Sequence, residues 1–270
     1  MSGVAKIVGV VPPVTDPRGF PSMAVYVATH KRATLPRSDW LTPIGLNGYR
    51  DENVRTCDAD GADNIAHLNR SYVELTGLYW LLKHCRDDYV GLCHYRRFLT
   101  FTPPPAPDIN YPAVFPMDTT DETFDYLASD EQKNRMLSLL DTYDFIVPRP
   151  IIYPETVATS FVNAHGELFW DRFLRSCQRE FGHDVSYFDQ ETRFYCGNIF
   201  VTTPEKFRQF AKSLFRVVDH VYEELGEIED MPEVRYAPHR YPGYIAERFM
   251  GLYIHKMGLR VFETPMVWLN

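Results

Sequence analysis

Short apolar runs alternate along this chain with longer stretches whose apolar positions recur every three or four residues. Met23-Ala-Val-Tyr-Val-Ala-Thr29 is a β-rich run followed by the basic pair His30-Lys31. Tyr89-Val-Gly-Leu-Cys93 is another, and it stops abruptly at His94-Tyr95-Arg96-Arg97. Residues 143–147, 195–201 and 259–264 read as further strands, and a strand over 6–11 is expected inside an irregular, proline-containing leader at 1–22. The helical period predicts a helix over 72–86, with Leu75, Leu78, Tyr79 and Leu82 on one face. Ser71 and Glu74 have the spacing of its capping box. Further helices are expected over 130–140, 166–181, 204–225 and 244–257, the third of these opened by Pro204 in the favoured first-turn position. Strands alternating with helices predict an α/β fold with a mostly parallel central sheet flanked by helices. No repeat or linker interrupts the pattern, so residues 1–270 are expected to form a single domain. Residues 32–70 lack periodicity and are long enough to suggest a functional loop. The proline-rich stretch 100–119 is expected to be an irregular surface excursion.

Composition narrows the function. The chain has 270 residues, 45% of them hydrophobic and 14% aromatic, enough to bury a full core. Its formal net charge of −8 argues against a nucleic-acid partner, which needs a basic face. Five cysteines, an odd number without metal-finger spacing, suggest reduced thiols. No basic segment followed by a long apolar run opens the chain, and no run approaches the roughly 18 apolar residues of a membrane span. A cytoplasmic protein is expected.

The candidate chemistry gathers at a few places. Two guanidiniums at the end of a core strand are costly unless an anion meets them. Ligands of open α/β sheets bind at the carboxyl ends of the strands. His94, Arg96 and Arg97 therefore suggest a site for a phosphate-bearing molecule, with Tyr95, His30 and Lys31 beside it. Alternation along an extended segment would point Arg96 and Arg97 opposite ways, leaving one of them for the ligand. Asp58-Ala-Asp60 is formally an Asp-x-Asp, a pattern that can hold a divalent cation through oxygen. Asp63 and Asn64 could reach a ribose or base, and Glu74 opens the following helix. Asn163 and His165 place polar side chains before a helix, where they could contact a second substrate. Gly197 could let a ligand approach the backbone, with Asn198 bonding a hydroxyl. Glu247, near the start of a helix, could be a general base. Its neighbour Arg248 need not be its partner, because adjacent helical residues do not face each other. The chain has no Walker loop, no dinucleotide glycine triplet after its first strand, no Gly-x-Ser-x-Gly and no His-Glu-x-x-His.

Taken together, Asp63-Asn-Ile, Tyr72-Val-Glu74-Leu-Thr-Gly-Leu-Tyr-Trp80, Tyr89-Val-Gly-Leu-Cys-His-Tyr-Arg-Arg-Phe98, Tyr143-Asp-Phe-Ile-Val-Pro148, Asn198-Ile-Phe-Val and Ala246-Glu-Arg-Phe249 resemble one bacterial family. It is the family labelled domain of unknown function 4422, found in capsular and exopolysaccharide gene clusters. Its members look like glycosyltransferases of the GT-A type, and some are linked with galactofuranose transfer. The resemblance spans about residues 23–268. It implies a GT-A-like fold and hexosyl transfer from a nucleotide-sugar donor, a UDP-sugar above all. It also implies a saccharide or lipid-linked acceptor and a place in the cytoplasm, peripheral at the inner membrane surface. In the usual layout of such enzymes a metal-binding Asp-x-Asp ends a central strand. Here His94-Tyr95-Arg96 takes that place, so cationic side chains would stabilise the departing diphosphate. That leaves Asp58 and Asp60 as the candidates for a divalent Mg or Mn. Glu247 falls where many GT-A enzymes keep a carboxylate base, which implies an inverting displacement. The competing readings are a saccharide-binding scaffold without turnover, and a metal-dependent phosphate-handling enzyme built on Asp58, Asp60 and Asp63.

Overall fold

A computed structural model describes residues 22–102, 113–232 and 234–270. The expected strand at 6–11 and residues 103–112 of the proline-rich stretch lie outside the described residues. The strands are β1 (Met23–Thr29), β2 (Leu41–Gly45), β3 (Thr56–Cys57), β4 (Tyr89–His94), β5 (Arg97–Leu99), β6 (Val114–Met117), β7 (Phe145–Pro148), β8 (Ile151–Ile152), β9 (Arg193–Phe194), β10 (Phe200–Thr202), β11 (Val261–Thr264) and β12 (Met266–Leu269). The helices are α1 (Asn69–Tyr72), α2 (Leu75–His84), α3 (Asp121–Ala128), α4 (Asp130–Leu140), α5 (Val157–His165), α6 (Glu167–Phe181), α7 (Tyr187–Gln190), α8 (Pro204–Leu225) and α9 (Tyr241–Met257).

The central sheet runs β11-β7-β10-β4-β1-β2-β3. Neighbours are parallel except at β10, which is antiparallel to both β4 and β7. β1 is buried at all seven positions, which is why it reads as a continuous apolar run rather than an alternating one. Its even-numbered residues, Ala24, Tyr26 and Ala28, face a core shared with α2, α6, α8 and α9. Met23, Val25 and Val27 face a second core shared with α3, α4 and β12. The first core is aromatic, with Phe145, Phe200, Phe207, Phe210, Phe249 and Tyr253 packed ring against ring. The result is one α/β domain with a mostly parallel sheet between helical layers.

Several local expectations are corrected. The single helix over 72–86 is two helices, because Val73 adopts φ 46° and ψ −121° and breaks the ladder. Ser71 is buried inside α1 and caps nothing, and α2 starts at Glu74 without a side-chain cap. The proline-rich stretch contains β6, which pairs in parallel with β12. The run 195–201 is extended only from Phe200, since Gly197 and Asn198 both take positive φ.

Candidate active site

β4 carries the chain through the sheet and ends at His94. Tyr95 and Arg96 form a tight turn, and the chain returns as β5 with Arg97 opposite His94. The turn replaces the extended alternation expected for this segment. Arg96 and Arg97 therefore line the same cavity of about 470 Å³, together with His30, His94, Glu74 and Arg240. Among the described residues none of Arg96, Arg97 and Arg240 forms an ion pair, whereas Arg70 at the rim is held by Glu227 and Glu229. Burial, then Arg97 and Arg96, lowers the His94 pKa to about 3, so its imidazole is neutral near pH 7. The backbone N–H of Arg96 donates to His94 Nδ1 at 3.3 Å. His30 is also lowered, by burial and then by Lys31, while Glu74 opposes the shift. Tyr95 is buried beneath these groups as a platform, with Lys31 at 5.5 Å and Arg96 at 5.2 Å from its ring centroid. Lys31 does not line the cavity itself.

Arg97 also lines a second cavity of about 570 Å³, so one guanidinium belongs to both. It lies 4.3 Å from the Trp268 ring centroid, and its buried Nε has no hydrogen-bond partner. Gly197 closes against it: at φ 90°, a Cβ there would stand 3.3 Å from Arg97 Nη1. The N–H of Gly197 donates to Glu247 Oε1 at 2.9 Å. Arg248 Nη1 donates to Glu247 Oε2 at 3.1 Å, so the two neighbours do pair. The long Arg248 side chain curls back because Phe194 and Phe161 hold it, 4.1 and 5.2 Å from its guanidinium carbon. α9 begins at Tyr241, which puts Glu247 in the second turn, beyond the reach of the helix N-terminus. Its pKa is raised, chiefly by burial and also by Glu74, against the pull of Arg248, Arg97 and the Gly197 N–H. A fixed carboxylate of raised pKa in a cavity wall can take a proton from a bound hydroxyl.

The second cavity is also lined by Asn163, His165, Tyr153, Tyr236 and Tyr244. Asn163 and His165 precede the helix α6 as expected, and themselves lie in the last turn of α5, with Gly166 at φ 93° separating the two. His165 stacks on Tyr244 at 4.1 Å, and burial followed by Arg248 lowers its pKa to about 3. Its Nδ1 is buried and unpartnered. Asn198 is buried behind Gly197 with Oδ1 unpartnered, and does not line the cavity.

Four sequence candidates lie elsewhere. Asp58 is fully buried and accepts from the N–H groups of Asn47 and Gly48, both at 2.9 Å, and from Thr76 Oγ1 at 2.5 Å. Asp60 accepts from the Cys57 N–H at 2.9 Å and pairs with Arg50. Their oxygens are used in building the loop, so the structure does not bring the two together as a cation site. Asp63 binds the Tyr79 hydroxyl and Lys83, both at 2.7 Å, and Asn64 bonds Gly61 O at 2.7 Å. Among the described residues no three His, Cys, Asp or Glu side chains gather as a metal-holding group. The end of β4, where the resemblance would place a metal, carries no carboxylate and does not fit one.

The sequence reading missed Arg240, Arg235 and the aromatic wall Tyr153, Tyr236 and Tyr244. The one signal was the density of Arg and Tyr in Arg235-Tyr-Ala-Pro-His-Arg-Tyr241. Among the described residues no helix is long and apolar enough to cross a membrane.

No curated protein sequence matches this chain. A solved apo structure of WbbM, a bifunctional glycosyltransferase, superposes with a TM-score of 0.79 at 22% identity over 92% of this chain. The chain spans 45% of that longer protein. Residues 24–258, from the first strand through the helix that carries Glu247, match the family model described as a domain of unknown function, DUF4422, and the chain belongs to that family.

Proposed function

We propose that this chain is a glycosyltransferase that moves a hexosyl group from a nucleotide-diphosphate donor, a UDP-sugar above all, to a saccharide or lipid-linked acceptor. The observation that carries this is Arg97. It is a guanidinium without an ion pair among the described residues, it is shared by two cavities, and it lies close enough to Glu247 to oppose the burial-driven rise of that carboxyl's pKa. The donor diphosphate occupies the first cavity against Arg96, Arg97 and Arg240, with Glu74 facing the sugar. The acceptor occupies the second cavity, where Asn163 and His165 line its path and the Gly197 N–H holds Glu247 beside it.

Glu247 Oε takes the proton of the acceptor hydroxyl as that oxygen attacks the anomeric carbon. The bond from the anomeric carbon to the diphosphate oxygen breaks, and its electron pair leaves on the diphosphate. The developing charge meets the guanidiniums of Arg96, Arg97 and Arg240, already gathered along the first cavity. Attack on the face of the anomeric carbon away from the diphosphate makes the displacement inverting. No step is assigned to Mg or Mn. A role in capsular or exopolysaccharide assembly, galactofuranose as the sugar and a place at the cytoplasmic membrane surface extend the same reading.

The test is a thermal-shift screen of UDP and UDP-sugars, followed by mass spectrometry of oligosaccharide acceptors incubated with the donors that bind. A shift with UDP and a hexose-sized mass gain are expected. Saccharide binding without any mass gain would make the chain a binding module instead.

A further inference from the structure

The second cavity has an unusual charge distribution for a protein of net charge −8. Three guanidiniums line it, those of Arg97, Arg235 and Arg248, against the two carboxylates of Glu155 and Glu247. Glu247 already accepts from Arg248 and Gly197. Arg248 is buried, yet its Nε has no partner. Arg235 is exposed and has no ion pair among the described residues, although the segment before it is rich in acids. Two of those acids, Glu227 and Glu229, are drawn to Arg70 on the other side of the site.

Arg235 is nevertheless fixed in place. Its N–H donates to Ala164 O at 3.0 Å, on α5, and its neighbour Val234 packs against Gly166. Its guanidinium carbon stands 5.4 Å from the ring centroid of Tyr236, which is 47% exposed. A planar fork anchored at its backbone, backed by a ring and aimed into an aromatic cavity is suited to bidentate capture of an oxyanion.

We propose that the acceptor carries an anionic group, a carboxylate or a phosphate, beside the sugar that receives the transfer, and that Arg235 recognises it. This rests on the reading of the second cavity as the acceptor site. Tyr153, Tyr236 and Tyr244 supply ring faces for the sugar, and His165, neutral near pH 7, adds no competing charge. Arg235 acts here as a specificity residue, with no part in the bond-breaking step.

The experiment is ligand-observed NMR on the full chain with UDP saturating the first cavity. The probes are methyl glucuronide, glucose 1-phosphate and methyl glucoside. One or both charged probes should bind about tenfold or more tighter than the neutral one, and the preference should shrink with added salt. Whichever charged probe prevails names the source, a uronic acid or a phosphorylated saccharide. Arg235→Ala should abolish the preference and Arg235→Lys should restore part of it, at an exposed position whose change leaves folding intact. Equal binding of all three probes, or a preference that survives Arg235→Ala, overturns the proposal. Failure of the glycosyltransferase reading shows separately, as absence of UDP binding.

Discussion

The Arg97 guanidinium carbon lies 4.3 Å from the ring centroid of Trp268, so a residue of β12 holds a cation that projects from the β4–β5 hairpin into both cavities. This pairing fixes Arg97 without neutralising it. Arg97→Ala should lower kcat by about 10²–10³-fold, the usual effect of losing a preorganised donor to a leaving group. Trp268→Leu should cost less, on the order of fivefold, in keeping with roughly 1 kcal/mol for a ring–guanidinium contact. Steady-state kinetics with a UDP-sugar donor measures both. Full activity in Arg96→Ala and Arg97→Ala alike would remove the leaving-group role.

Glu247 must be ionised to act as a base, and burial raises its pKa. The acidic limb of kcat/KM should therefore lie above the ordinary glutamate value of about 4.3, with the rate falling as pH drops through it. Glu247→Gln should reduce kcat by about 10²–10⁴-fold and eliminate that limb, while UDP still shifts the melting temperature. Proton NMR of the product should show an inverted anomeric centre. Retention would assign Glu247 another task.

His94 and His165 both have pKa values lowered to about 3. The unfolded chain, with histidines near 6.5, binds protons that the folded chain refuses. Stability contributed by neutral burial is therefore complete above about pH 6.5 and is lost as pH falls from there toward 3. Each histidine should add a slope approaching about 1.4 kcal/mol per pH unit inside that window. Urea titrations between pH 7 and 4 measure it, and His165→Phe should remove one proton's worth of slope.

Asp58 is a structural residue, bonded to Asn47, Gly48 and Thr76. Asp58→Ala should destabilise the fold by about 3 kcal/mol, since it leaves the Asn47 and Gly48 N–H groups without an acceptor in the interior and Thr76 with Val73 O alone. In the same vein, EDTA should leave the UDP-induced thermal shift unchanged. A shift that requires added Mn²⁺ or Mg²⁺ would return a cation to the mechanism.

Much of this architecture is legible in the residues, and the exceptions have physical causes. β1 spans Met23–Thr29 as its unbroken apolar run predicts, and α8 spans Pro204–Leu225 between a first-turn proline and Gly226. The break at Val73 is invisible because a β-branched residue at positive φ is a strained choice that only the surrounding packing can enforce. That packing includes Gly243, where a Cβ would fall 2.5 Å from Val73 Cγ2. At the site, the hairpin arginines and Glu247 announce themselves by residue type. The aromatic wall does not, because Tyr153, Tyr236 and Tyr244 come from separate segments and each reads alone as core. Arg248 escaped for a different reason. Helical spacing describes where a side chain starts, whereas this one is turned back by rings from α5 and β9.

β10 lies antiparallel beside β4, with Phe200 opposite Leu92, which sets the bend at Gly197 beside the arginine hairpin. The bend and the hairpin leave that ladder at the same end. A slip of one residue would exchange the two faces of β10, carrying Gly197 away from both Arg97 and Glu247. The placement of Gly197 beside Arg97 and Glu247 thus depends on one long-range strand alignment. Recovery of donor binding during refolding should coincide with closure of this seam, with no partially active intermediate before it.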